Sequence, residues 1–170
     1  MVGGEICTDT IWCNDYSNKT LITHDGGNSF EELAPLPTLL KGHCAVFIDN
    51  NTLMVIGGYK FPASYDKTYF LDLASNVWTD GPPLTTNRAY HTCNIVTDCR
   101  GNKQVVVVGG YATGVAIPII QTVEIYDIDS QTWSAGTVNL VLRRLIKFSF
   151  HSDTHLEQGM QLYDSNIDFD

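Results

Sequence analysis

One ordered set of marks recurs along this chain, and its order constrains the fold more than any bulk property. Gly57-Gly58 closes the apolar run Leu53-Met54-Val55-Ile56, Asp72 follows Tyr69-Phe70-Leu71, and Trp78 stands six residues after that acid. The order returns downstream: Gly109-Gly110 closes Val105-Val106-Val107-Val108, Asp127 follows Val123-Glu124-Ile125-Tyr126, and Trp133 again comes six residues after the acid. The glycine pairs are offset by 52 residues and the tryptophans by 55, close to the period of about 20–50 residues that marks repeat architectures. A worn copy precedes them, with Gly3-Gly4 for the glycine pair, Thr23-His24-Asp25 for the acid step and Phe30 for the indole, one residue short between acid and aromatic. Such a chain builds itself from like units, each burying a face against its neighbour.

Between the marks lie short apolar or alternating runs cut by turn residues, the pattern of strands at regular spacing. It predicts strands over 43–48, 52–56, 67–71 and 77–79, and again over 91–96, 104–108, 122–126 and 132–134, with turns at Asp49-Asn50-Asn51, Ala74-Ser75-Asn76 and Asp129-Ser130-Gln131. Four antiparallel strands per unit of about 50 residues describe a propeller blade. The glycine pairs suit strand ends where backbones approach closely or φ turns positive. Trp78 and Trp133 carry the largest apolar surfaces and are expected to wedge between sheets, with Tyr69 and Tyr126 as packing partners. Gly3, Gly4, Asp25, Phe30, Gly57, Gly58, Asp72, Trp78, Gly109, Gly110, Tyr126, Asp127 and Trp133 are thus read as scaffold.

These residues resemble the Kelch repeat, most clearly in Val106-Val107-Val108-Gly109-Gly110, then Glu124-Ile125-Tyr126-Asp127, then Trp133. Thr86-Asn87-Arg88-Ala89-Tyr90-His91 and Lys41-Gly42-His43 resemble the opening of that repeat's innermost strand. The resemblance covers about residues 1–135 and implies an all-β fold, a partial β-propeller of about three four-stranded blades. The divisions expected are 1–37 for a partial blade, 38–84 and 85–137 for two blades, and 138–170 for a degraded or truncated blade with an acidic tail. In that last part Ile146, Phe148 and Phe150 alternate with polar residues, and Leu162-Tyr163-Asp164 and Phe169 echo the marks without a glycine pair. About three blades are fewer than a closed ring requires, so the reading expects a fragment, a truncated gene model or an open array whose sheet edges invite association.

Composition narrows the chemistry. A net charge of −9 with ten Lys and Arg opposes a nucleic-acid partner, because phosphate neutralisation needs clustered cations. No stretch reaches the roughly 18 apolar residues of a membrane span, and the first residues lack the regions of a signal peptide, so no membrane and a cytoplasmic location are expected. There are five cysteines. Cys93 and Cys99 flank a predicted strand and turn where a hairpin disulfide would fit, while small buried thiols are the commoner state in a cytosolic domain. Asn18 and Asn50 head N-x-Thr sequons, which count only in a secreted chain. His43 and His91 hold the same place in successive repeats and read as scaffold. His151 and His155 have i, i+4 spacing, but a turn lies between them and two ligands make a weak metal site. With no nucleophile elbow, phosphate loop, Cys-x-x-Cys or spaced carboxylate pair, the chain is read as no enzyme, with no catalytic, cofactor or metal residues.

The strand order gathers the long loops 59–66, 80–90 and 111–120 on one face, presenting Tyr59, Phe61, Tyr65, Arg88, Tyr90 and Tyr111. Aromatic and Arg residues dominate interface hot spots, and recognition favours loops on a rigid scaffold. The expectation is a protein partner on this face. The resemblance implies the substrate-recruiting propeller of a cullin-type ubiquitin ligase adaptor lacking its BTB part. The alternatives are a secreted or cell-surface Kelch-repeat protein with disulfides and N-glycans, and a galactose-oxidase-like enzyme.

Overall fold

A computed structural model describes residues 2–6, 15–113 and 119–136. The described chain is all strand and turn, with no helix. In chain order the strands are β1 (Val2–Ile6), β2 (Asp15–Ile22), β3 (Glu31–Leu33), β4 (Cys44–Phe47), β5 (Thr52–Ile56), β6 (Tyr59–Lys60), β7 (Ala63–Ser64), β8 (Thr68–Asp72), β9 (Val77–Asp80), β10 (Thr92–Thr97), β11 (Lys103–Val108), β12 (Val123–Asp127) and β13 (Thr132–Ala135). They form one three-stranded antiparallel sheet, β1-β2-β3, two four-stranded ones, β4-β5-β8-β9 and β10-β11-β12-β13, and the small β6-β7 hairpin. This is the arrangement of a partial Kelch β-propeller. The expected innermost strand at 138–150, the echoes beyond it, and His151 and His155 lie outside the described residues.

The apolar run that ends at Gly57 is explained by burial on both faces of β5. Met54 and Ile56 point into a cluster with Val105, Val107, Tyr126 and Leu84 that joins the second sheet to the third. Val55 points the other way, against Leu36, Leu40 and Tyr69. A strand covered on both faces cannot alternate apolar with polar residues. The tryptophans tie each sheet to the segment that leads into it. Trp78 Nε1 donates to Ala34 O at 2.8 Å, Trp133 Nε1 donates to Pro82 O at 3.0 Å, and the Trp133 ring lies 5.1 Å from that of Tyr126.

The recurring acids cap turns. Asp72 Oδ1 accepts the Ser75 amide and hydroxyl at 2.7 and 2.8 Å, and Asp127 Oδ1 accepts the Ser130 amide at 2.7 Å. These donors hold both carboxyls below the usual carboxylate range. Each turn closes on a residue of positive φ, Asn76 at 55° and Gln131 at 57°.

The first copy departs from expectation. Asp25 caps its turn through Ser29, but β2 and β3 meet at Ile22 and Glu31, so residues 23–30 form the turn. That turn is twice as long as its counterparts and leaves Phe30 on it, 55% exposed. Phe30 is therefore no wedge. The residue paired as Trp78 and Trp133 are paired is Glu32, opposite Leu21. Gly3 and Gly4 lie inside β1 at a register shift and do not close a strand.

The cysteine readings also need correction. Cys44 in β4 and Cys93 in β10 form a disulfide across the two innermost strands, with Cα atoms 6.0 Å apart. Cys99 is an exposed free thiol. It lies in the turn after β10, and the Cys93 sulfur is already bonded to Cys44, so the hairpin disulfide does not form. Neither are Cys44 and Cys93 buried thiols, because neighbouring sheets bring them together. Cys7 and Cys13 lie outside the described residues.

Candidate interaction face

The segments after the glycine pairs and those between sheets are joined into one hydrogen-bonded surface. Gly57 at φ 59° and Gly58 at φ 113° turn the chain out of β5, and Gly58 N donates to Arg88 O at 2.8 Å, drawing the next inter-sheet segment onto the turn. Arg88 N donates to Tyr65 O at 3.0 Å, and Ala89 and Tyr111 exchange both amide bonds, at 2.9 and 2.7 Å. Ser64 of β7 accepts the Thr113 amide at 2.9 Å and donates its own amide to Thr113 Oγ1 at 2.7 Å. Asn87 Nδ2 bridges the Ser64 and Thr113 carbonyls, at 3.4 Å each. The expected loops therefore support one another.

The six candidate residues separate into three kinds. Phe61, Tyr90 and Tyr111 stand out at 75%, 58% and 41% exposure. Tyr59 and Tyr65 are half-buried. Tyr59 carries Lys41 Nζ 5.9 Å from its ring centroid, and Tyr65 packs against the cluster of Leu36, Leu40, Val55 and Tyr69. Arg88 is a correction, since it is fully buried. Its Nη2 lies 2.6 Å from Glu124 Oε1, and its Nη1 donates to the carbonyls of Gly109 and Thr122 at 2.9 and 3.2 Å. Burial opposes the guanidinium charge and Glu124 offsets it. Such a side chain braces the loops and touches no partner.

Two features of the face were missed in the sequence. Ile119 is 64% exposed and bridges Tyr111, which adds an apolar residue beside the tyrosine. Glu124 had a legible signal, an acid inside an otherwise apolar strand, since a buried charge needs a partner. Tyr90 is a bulky residue at φ 55°, a rare conformation. Its amide donates to Gly42 O at 2.6 Å, and its ring lies where a Gly42 side chain would stand, 2.8 Å from that position.

Beneath the face sits His91, whose two ring nitrogens are shut off from solvent. Burial, with smaller contributions from the Arg88 guanidinium and His43, pushes its pKa down to about 3. The folded value lies below the unfolded 6.5, so the unfolded chain takes up the proton first. Stability is then complete above pH 6.5 and declines as pH falls from there toward about 3. At pH 4.5 we expect a loss of about 3 kcal/mol, measured by urea unfolding across that window, with His91→Gln flattening the dependence. Equal slopes in the two proteins would show that His91 is not the group responsible.

No helix among the described residues is long and apolar enough to cross a membrane. Among those residues no group of three or more His, Cys, Asp or Glu could hold a metal ion.

Antiparallel four-stranded sheets, a glycine pair at each second strand and a tryptophan reaching back from each fourth strand define the repeat class. That repeat is of Kelch type. Residues 41–85 match the family model described as Kelch motif. The chain is 22% identical over 143 residues to the Kelch repeat-containing protein kel-10 of Caenorhabditis elegans, an alignment covering 78% of this chain and 24% of that protein. It is 24% identical over 143 residues to the Kelch repeat and BTB domain-containing protein F47D12.7 of the same organism, with the same coverage. The chain thus spans about a quarter of the length of these curated relatives.

Proposed function

We propose that this chain is a protein-interaction module that binds its partner through the loop face carrying Phe61, Tyr90 and Tyr111. The observation that carries the reading is the exposure of three large aromatic residues on loops held by the Ser64, Asn87 and Thr113 network. Rigid aromatic anchors give up little side-chain freedom on binding. In its finer form the module recruits substrates to a cullin-type ubiquitin ligase in the cytoplasm. That form is supported by the Kelch repeat, and by a relative whose name adds a BTB domain. Proximity labelling with the full-length protein would identify partners, and purified components would give affinities. The double change Tyr90→Ala and Tyr111→Ala is expected to weaken binding at least about 30-fold, with no effect of Arg100→Ala in the far turn. Equal affinities would refute this face, and absence of a cullin scaffold among the partners would refute the adaptor role.

The Cys44–Cys93 disulfide favours a second reading, a Kelch-repeat protein that matures in an oxidising compartment. The two sequons then differ. Asn50 is exposed, whereas Asn18 Nδ2, the atom a glycan would take, donates to Leu36 O at 3.3 Å. Glycosidase treatment of protein from its native source would lower its mass if Asn50 is modified, and an unchanged mass would count against this reading.

A further inference from the structure

We propose that Cys44 and Cys93 form a reversible thiol–disulfide site that locks the seam between the second and third sheets. Their Cα separation of 6.0 Å lies within the range of about 4.4–6.8 Å that a disulfide spans without backbone movement. Both residues are half-buried, so a small thiol can reach the bond. Among the described residues the remaining thiol, Cys99, lies in the turn beyond β10, and the exchange proposed is with an external thiol of the glutathione class. One glutathione thiolate attacks a chain sulfur to form a mixed disulfide and releases the other chain sulfur as a thiolate. A second glutathione thiolate then attacks the glutathione sulfur of that mixed disulfide and releases the remaining chain sulfur as a thiolate, giving, after protonation, two protein thiols and one glutathione disulfide. The reverse sequence closes the lock, with glutathione disulfide as oxidant.

The position of the lock gives it a consequence. Gly42 lies two residues before Cys44, and Tyr90 three residues before Cys93. The Tyr90 amide to Gly42 carbonyl bond, 2.6 Å long, is thus the next link of the same seam toward the loop face. Tyr90 is held at φ 55°, against its own backbone preference, so its conformation depends on that seam. The crosslink also joins residues 49 apart in sequence, a long loop whose closure restricts the unfolded chain strongly. None of this requires that the face bind a partner.

The test uses the whole 170-residue chain, equilibrated in glutathione buffers from oxidising to reducing. Thiol alkylation read by mass spectrometry, thermal melting and amide hydrogen exchange are followed together. In the oxidising buffer Cys44 and Cys93 should resist alkylation while Cys99 reacts. In the reducing buffer both should react, Tm should fall by about 10 °C, and the Tyr90 amide should exchange at least about tenfold faster. Cys99→Ser should behave as the native chain, and Cys93→Ser should not respond to the buffer. Alkylation of Cys44 and Cys93 in the oxidising buffer would overturn the proposal, as would an unchanged Tm and Tyr90 exchange on reduction. The native chain alone decides if Cys93→Ser does not fold.

Discussion

Glu124→Ala is expected to destabilise the protein by about 4 kcal/mol, the range for removing one partner of a buried ion pair. The Arg88 guanidinium would remain fully buried without its countercharge, and the Thr85 and Thr86 amides, which Glu124 accepts at 2.7 and 3.2 Å, would lose their acceptor. The second sheet shows that the seam can be filled without charge. Leu40 stands three residues before His43 as Arg88 stands before His91, and Tyr69 pairs with Val55 as Glu124 pairs with Val107. Leu40 and Tyr69 belong to one buried apolar cluster there. The double change Arg88→Leu and Glu124→Tyr should therefore cost less than Glu124→Ala alone, because burying an apolar pair removes the unpaired charge. Urea unfolding of the single and double variants measures this. A double variant at least as unstable as the single would mean that Glu124 acts mainly through the two threonine amides.

Gly57→Ala should cost a similar amount, about 4 kcal/mol, and the same change at Gly109 much less. Both glycines have positive φ, 59° and 67°, where a residue with a Cβ is disfavoured by roughly 1–2 kcal/mol. They differ in surroundings. A Cβ on Gly57 would lie 2.5 Å from Arg88 O and 2.7 Å from His91 Cε1, whereas one on Gly109 would meet only Ile120 O, at 3.5 Å. The inter-sheet segment that carries Arg88 leaves no room at Gly57, and displacing backbone adds overpacking strain of about 1–3 kcal/mol. Equal losses at the two sites in urea unfolding would show that backbone conformation alone requires these glycines.

Particular residues show what could be read before the fold was known. The apolar run 53–56 and the valines 105–108 marked central strands, since a strand covered on both faces has no polar side to show. The acids at 72 and 127 were visible as marks, and the serine three residues after each is the local signal for their capping role. In the first copy the same logic failed, because Phe30 sits where the mark is expected but a longer turn shifts the pairing to Glu32. Spacing along a chain does not record how many residues a turn consumes. Arg88 failed for a different reason. Its residue type suits an interface, and only the approach of β12 reveals that Glu124 has already taken its charge.

Local order was thus written in the sequence: the repeat, its all-β character and, in the second and third sheets, the strand positions to within about a residue, whereas β1–β3 and the β6-β7 hairpin were not placed. These depend on periodicity and turn chemistry between near neighbours, which a linear string records. The pairing of Cys44 with Cys93, the burial of Arg88 and the exposure of Phe61, Tyr90 and Tyr111 were decided only when whole sheets packed together. Each depends on groups about 20 to 50 residues apart, whose distance is set by how one sheet lies against the next.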